Sequence, residues 1–271
     1  MATSRRPPSL LTAYVLHRYD WSESSLILDV FTREQGRLIV AAKGAKRPYS
    51  QQRSVLLPFQ RLHIALGRVP KTDVLNEATA GREVQTLRSA DWAGGAAMLT
   101  GAALFSGFYL NELLMKLLAR HDAHAAVFDA YAATLPALAG GDESSVQSAL
   151  RAFEITLLQQ TGVLPDLSQV TTTLESLAAD TRYAVLPEAG VARARAGEPG
   201  LPGSALIGVQ AALLHGSLQA VAHACSTNLP EWRHALRGLL HYHLGGPLLR
   251  TRKVMLELQG LSTPGHHATA P

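Results

Sequence analysis

The sequence predicts an α+β, multidomain chain: a small five-stranded β-barrel at the N-terminal end, then an all-α helical domain carrying an irregular insertion. Three observations predict it. Residues 1–80 contain short runs rich in Val, Ile, Leu, Tyr and Phe, separated by Gly- and Pro-containing turns, the pattern of strands. Beyond Gly81 apolar residues recur every three or four positions, the period of a helix. Residues 164–203 follow no strong helical period and contain Pro165, Pro187, Pro199 and Pro202.

The elements follow in order. Leu10–Arg18 and Ser25–Thr32 read as strands, and Glu34-Gln35-Gly36-Arg37 as the turn into a third, Leu38–Ala42, with Gly at the position that needs positive φ. Lys43–Arg53 is a polar loop. Leu62, Ile64 and Leu66 alternate with Arg61, His63 and Ala65, the period of a half-buried strand. Gly67–Lys71 turns the chain again, and Thr72–Thr79 supplies a fifth strand. Closing five short strands into a barrel removes their reactive edges. Asp91 then caps a long helix over Ala93–Arg120, with Leu99, Ala102, Phe105, Tyr109 and Leu113 on its apolar face. Ala123–Leu138 is a second helix, ended by Gly140-Gly141. Asp142 caps a third, Glu143–Thr161. Inside the irregular stretch, Tyr183–Leu186 and Val191–Ala194 flank Pro187–Gly190 and can form a hairpin. Ser204 caps Ala205–Cys225, Pro230 opens another helix, and Leu248–Gln259 is the last. The domains are therefore 1–80 for the barrel and 81–260 for the helical part, with the insertion at 164–203. Residues 261–271 form a disordered tail.

Composition excludes several classes. Of 271 residues, 47% are hydrophobic and 17% charged, a globular balance rather than a disordered one. No apolar run approaches the roughly 20 residues of a membrane helix. One cysteine, Cys225, leaves no internal disulfide and no Cys-based zinc site. Arg5 and Arg6 precede an apolar stretch too short for an export signal, so a reduced, cytoplasmic protein is expected, without contact to a membrane.

Catalytic constellations are wanting. There is no G-x-S-x-G elbow, no phosphate-binding glycine loop and no carboxylate spacing of the nuclease type. His241 and His243 lie on different faces of a helix, which disfavours a shared metal. No cofactor or metal is expected, and the sequence points to binding rather than to an enzyme.

Charge indicates the ligand. Residues 1–80 hold 12 Lys and Arg against 6 Asp and Glu, whereas the remainder hold 13 against 15. Within 31–71 there are nine basic residues and one acid, Glu34. Such density favours a polyanion, because each neutralised phosphate releases a condensed counterion; a solvated surface kept for solubility is the alternative. In Lys43-Gly44-Ala45-Lys46-Arg47-Pro48-Tyr49 the cations suit phosphates, Gly44 allows close backbone approach, and Tyr49 suits a base face. A second basic segment, Arg233–Lys253, contains no acid, and its Arg233 and Arg237 share one helical face; they are candidate DNA contacts, with a solvated helix flank as the equal alternative. Trp21, Tyr14 and Tyr19 read as core or rim residues rather than base platforms.

The run Ala13-Tyr14-Val15-Leu16-His17-Arg18, the stretch from Glu23-Ser24-Ser25-Leu26 to Phe31-Thr32-Arg33-Glu34-Gln35-Gly36-Arg37-Leu38, and Ala42-Lys43-Gly44-Ala45-Lys46-Arg47 together resemble the N-terminal domain of the bacterial RecO family of recombination mediators. The resemblance continues through Leu57-Pro58-Phe59, Tyr109-Leu110-Asn111-Glu112-Leu113-Leu114, Phe128-Asp129-Ala130-Tyr131 and Leu236–Gly245. It implies an OB-fold barrel ahead of the helical domain. It also implies DNA repair and recombination by binding single- and double-stranded DNA and annealing complementary strands. RecR would be the partner in loading RecA onto single strands coated by SSB, whose acidic, apolar C-terminal tail is recognised. By motif position it implies DNA contacts at Arg33, Arg37, Lys43, Lys46 and Arg47. Many relatives carry two C-x-x-C pairs after the segment matching Gly162-Val163-Leu164-Pro165-Asp166-Leu167. This chain has no cysteine between Leu167 and Gly203, so its insertion is metal-free and must rest on packing. An OB-fold adaptor for other proteins, touching DNA only incidentally, and a metal-independent nuclease or hydrolase are the competing functions.

Overall fold

The computed structural model describes residues 10–67, 84–95, 98–245 and 249–254. Strands β1 (Leu10–Asp20), β2 (Leu26–Thr32) and β3 (Gly36–Ala42), the single helical turn α1 (Gln52–Val55), and strands β4 (Gln60–Leu66) and β5 (Val84–Gly95) come first. The strands close into a barrel in the order β1-β2-β3-β5-β4. Only the β3–β5 pairing is parallel. This is the OB-fold. β1 closes it by pairing on both sides, Leu10–Tyr14 with β4 and Ala13–Asp20 with β2, the second pairing carrying a register shift between Val15 and His17. Side chains alternate as the pleat requires. Leu11, Ala13, Val15, Leu28, Val30, Leu38, Val40, Leu62 and Ile64 fill the barrel. Tyr14, Leu16 and Phe31 face outward, yet are buried.

The fifth strand lies later than the sequence places it. Thr72–Thr79 falls outside the described residues, and the strand that completes the barrel is Val84–Gly95. Only Leu87 in it is fully buried, so its apolar alternation is faint. The helix that periodicity starts at Ala93 is excluded there, because Gly94 and Gly95 adopt φ of +91° and +152°. Asp91 is a strand residue rather than a cap.

The helical part comprises α2 (Gly101–Leu117), α3 (Ala125–Gly140), α4 (Glu143–Gln160), α5 (Gly203–His215), α6 (Leu218–Cys225) and α7 (Leu229–His243). Asp142 caps α4 as its side chain accepts from the Ser145 N–H at 2.9 Å. The single helix that the sequence suggests over Ala205–Cys225 is two, because Gly216 at φ +75° turns the chain and Ser217 caps α6. Residues 250–254 are helical, and the tail 261–271 lies outside the described residues. The insertion forms a small sheet, β7-β6-β8, from β6 (Arg182–Leu186), β7 (Gly190–Arg193) and β8 (Leu201–Pro202). Leu167, Leu177, Tyr183, Val191 and Leu201 join it to the main apolar core. No group of three or more His, Cys, Asp or Glu among the described residues could hold a metal ion.

Barrel and helices share that core. Tyr14 packs on Phe128 and Tyr131, with ring centroids 5.3 and 5.0 Å apart, and Phe31 packs on Phe128 at 5.4 Å. Asn111 on α2 donates from Nδ2 to the Leu16 carbonyl at 2.9 Å and accepts from the Tyr131 hydroxyl at 2.7 Å. At the β2–β3 turn Gly36 adopts φ +70°, and a β-carbon there would overlap the Asp122 carbonyl. One wall of the barrel is thus sealed by helices, while the end carrying the β1–β2 loop stays open.

Candidate nucleic-acid interface

At the open end two loops are fastened together. Trp21–Ser25 links β1 to β2. It is tightened by Trp21 and Ser22 N–H groups donating to the Ser25 carbonyl at 3.3 and 3.4 Å, and by Ser25 N–H donating to the Ser22 hydroxyl at 3.1 Å. The segment after β3 turns at Gly44 (φ +72°), where Arg47 N–H donates to the Gly44 carbonyl. Lys46 fastens one loop to the other. Its N–H donates to the Ser24 carbonyl at 2.9 Å, and its ammonium reaches Asp20 Oδ1 at 2.9 Å and the Ser22 carbonyl at 3.0 Å. Between the loops lies an open depression of about 340 Å³, lined by Trp21, Ser22, Ser24, Ser25, Lys43, Gly44 and Arg47. Lys43 and Arg47 are exposed and pair with no carboxylate among the described residues. Tyr49 stands fully in solvent beyond them. Exposed cations, hydroxyl groups and a bare backbone at one rim suit phosphate oxygens.

The site residues read from the sequence separate into three groups. Lys43, Arg47 and Tyr49 line or adjoin the open rim, and Lys46 holds it in shape. Arg33 and Arg37 lie at the sealed wall instead. Arg33 is exposed but grips Asp129 of α3 through Nε and a terminal nitrogen, both at 2.9 Å. The hydrogen bond from Arg33 is the main cause that lowers the Asp129 carboxyl from its ordinary range. Arg37 is buried. It forms a bidentate pair with Asp29 at 3.2 and 2.6 Å and donates to the carbonyls of Met115 and Leu118 at the end of α2. Positive charge there also complements the helix dipole. Arg37 is only 6% exposed, and its guanidinium is engaged by these partners.

Arg233 and Arg237 are exposed on α7. Arg252 joins them: burial, then the Arg237 and Arg233 charges, lower it from the usual guanidinium range. Beneath lies a buried polar knot in which the Tyr109 hydroxyl donates to Glu154 Oε1 at 2.6 Å and Arg151 pairs with the same oxygen at 2.6 Å. Burial raises the Glu154 carboxyl, against the pull of Arg151. The Nε of Arg151 is buried without a hydrogen-bond partner.

Trp21 is the functional candidate that sequence reasoning passes over as core or rim. It is 56% exposed beside Lys43 and Arg47. The polar run Ser22-Glu23-Ser24-Ser25 directly after it is the available signal, since a Trp inside a serine-rich turn has little to bury against.

Comparison with known proteins agrees with this architecture. The family model described as "Recombination protein O N terminal" matches residues 9–92, and that described as "Recombination protein O C terminal" matches residues 98–252. A protein of Polaromonas sp. strain JS666 named DNA repair protein RecO is 49% identical over 251 residues, covering 92% of this chain and 96% of the relative. Proteins with the same name from Variovorax paradoxus strain S110 and Verminephrobacter eiseniae strain EF01-2 are each 48% identical, with the same coverage. A chain matched from its barrel to its last helix, at nearly half identity, belongs to the RecO family of DNA repair proteins.

Proposed function

We propose that this chain is a non-enzymatic recombination mediator that binds single- and double-stranded DNA and anneals complementary strands. With RecR it would promote loading of RecA onto SSB-coated single strands in the cytoplasm. The observation that carries the proposal is the open barrel rim, where Lys43 and Arg47 line a depression and pair with no carboxylate among the described residues. Phosphates entering there displace condensed counterions, and the released ions drive binding. Two strands held on one cationic surface have their mutual repulsion screened, so base pairing is favoured without nucleotide hydrolysis. The Arg233, Arg237 and Arg252 surface has cations suited to further phosphates, and is the second DNA anchor of this reading. No helix among the described residues is long and apolar enough to cross a membrane.

The test is a fluorescence-anisotropy titration with a labelled oligonucleotide across a salt series, followed by annealing of complementary strands with and without SSB. Affinity should fall steeply with salt, annealing should proceed without nucleotide, and labelled DNA should remain uncut. Oligonucleotide affinity indifferent to salt, together with tight binding of an SSB-tail peptide, would instead identify an adaptor between proteins.

A further inference from the structure

We infer that the depression at the barrel rim is a subsite for one unstacked nucleotide, with its base on the face of Trp21 and its flanking phosphates on Lys43 and Arg47. The rim would therefore select single-stranded over duplex DNA. The inference rests on the DNA-binding proposal above and adds to it the form of DNA that this rim takes.

Three features carry it. Trp21 keeps more than half of its surface in water although it sits in a tight, hydrogen-bonded turn, so a base can cover the indole without rearranging the loop. The turn is braced by Lys46, whose ammonium ties Asp20 to Ser22 on either side of Trp21; little ordering remains for the ligand to impose. The opposite lining is cationic and, at Gly44, lacks a side chain, which lets a sugar–phosphate chain approach the backbone. A base within a duplex shows only its edges and must first be unstacked to use such a platform, whereas a single strand offers its faces directly. The other exposed tryptophan, Trp92, differs. Its indole N–H is engaged by Gln60 at 3.1 Å, and its pairing with Leu62, itself opposite Ala13, places it well along β1 from the Asp20 end.

The experiment compares the full chain with Trp21→Ala, Trp21→Phe and Trp92→Phe. Anisotropy is read with a labelled oligo(dT) and with a blunt hairpin duplex at one salt concentration. Tryptophan emission is followed in the Trp92→Phe protein, where Trp232 is buried and Trp21 reports. Oligo(dT) should quench that emission and the duplex should not. Trp21→Ala should weaken oligo(dT) about tenfold, the loss of one stacked base, and leave the duplex nearly unchanged. Trp21→Phe should recover part of the loss, Trp92→Phe should cost nothing on either ligand, and thermal melts should coincide. Equal losses on both ligands, or none on oligo(dT), would overturn the subsite. A Lys43→Glu, Arg47→Glu double variant separates the two layers. If it loses both ligands while Trp21→Ala binds as the parent does, the subsite fails and DNA binding stands. If it binds both as the parent does, this rim is not the DNA site at all.

Discussion

The sealed wall of the barrel and its open end carry the same chemistry to opposite ends. At the wall, Arg37 is enclosed by Asp29 and two helix carbonyls, and Arg33 is held by Asp129. At the open end Lys43 and Arg47 face solvent and pair with no carboxylate among the described residues. Lys46 lies between the cases: it is part of the rim, but its charge is already committed to Asp20. A cation is available to a ligand only when its partner is absent. The cost of burying it inverts the logic at the wall, where an unpaired guanidinium would be far more expensive than a paired one. Charge density along the chain is therefore shared between assembling the molecule and serving its ligand.

Substitutions can break this contrast, and the largest effect belongs to the wall. Arg37→Met leaves the Asp29 carboxylate buried without its partner and frees two helix carbonyls. Breaking a buried pair of this kind costs about 3–5 kcal/mol, read as a lower midpoint in urea, while the folded fraction should bind oligonucleotide as the parent does. A protein of normal stability with lost DNA affinity would move Arg37 to the interface. Next comes the Lys43→Glu, Arg47→Glu pair at the rim. Its melting should match the parent, because neither side chain makes a partner to lose. Its log affinity for single strands should depend less steeply on log salt, by about 1.4 for two phosphate contacts. An unchanged slope would remove these residues from the contact.

The smallest effect is expected at Arg33, whose ion pair is exposed and screened. Here pH sharpens the comparison. Asp129 is lowered by the hydrogen bond from Arg33, so its pairing contributes stability above the unfolded carboxylate value of about 4. That contribution is lost as pH falls below this value and through the lowered one. Arg33→Ala should therefore be slightly less stable than the parent at neutral pH, and the gap should close on acidification. A gap that widens in acid would mean that Asp129 is held by something else.

Strands β1 to β3 are legible as short runs rich in Val, Ile, Leu, Tyr and Phe bounded by turn residues, and β4 by the alternation of Leu62, Ile64 and Leu66 with their neighbours. β5 is not, because most of it faces outward and its apolar alternation is faint. The rim loop was legible through Lys43, Gly44 and Arg47, which stand close together in sequence. The pairing at the wall is not legible in the sequence: the motif positions that mark Arg33 and Arg37 carry no sign of their partners, and Asp29, on the same strand face as Phe31, reaches Arg37 only once the hairpin is formed. Asp129, 96 residues from Arg33, is beyond the reach of any local count. Trp21 is not legible as a site residue because aromatic residues in strand-rich segments are usually interior, and only the packed loops leave more than half of it exposed.

Tyr14, Leu16 and Phe31 have a further consequence for anyone dissecting this molecule. They are dry only because Phe128, Tyr131 and their neighbours on the helices cover them. Cutting between Gly95 and Gly101 to obtain a minimal DNA-binding fragment would present a greasy aromatic patch to water, and such a fragment should clump rather than dissolve. The barrel is not a transplantable part.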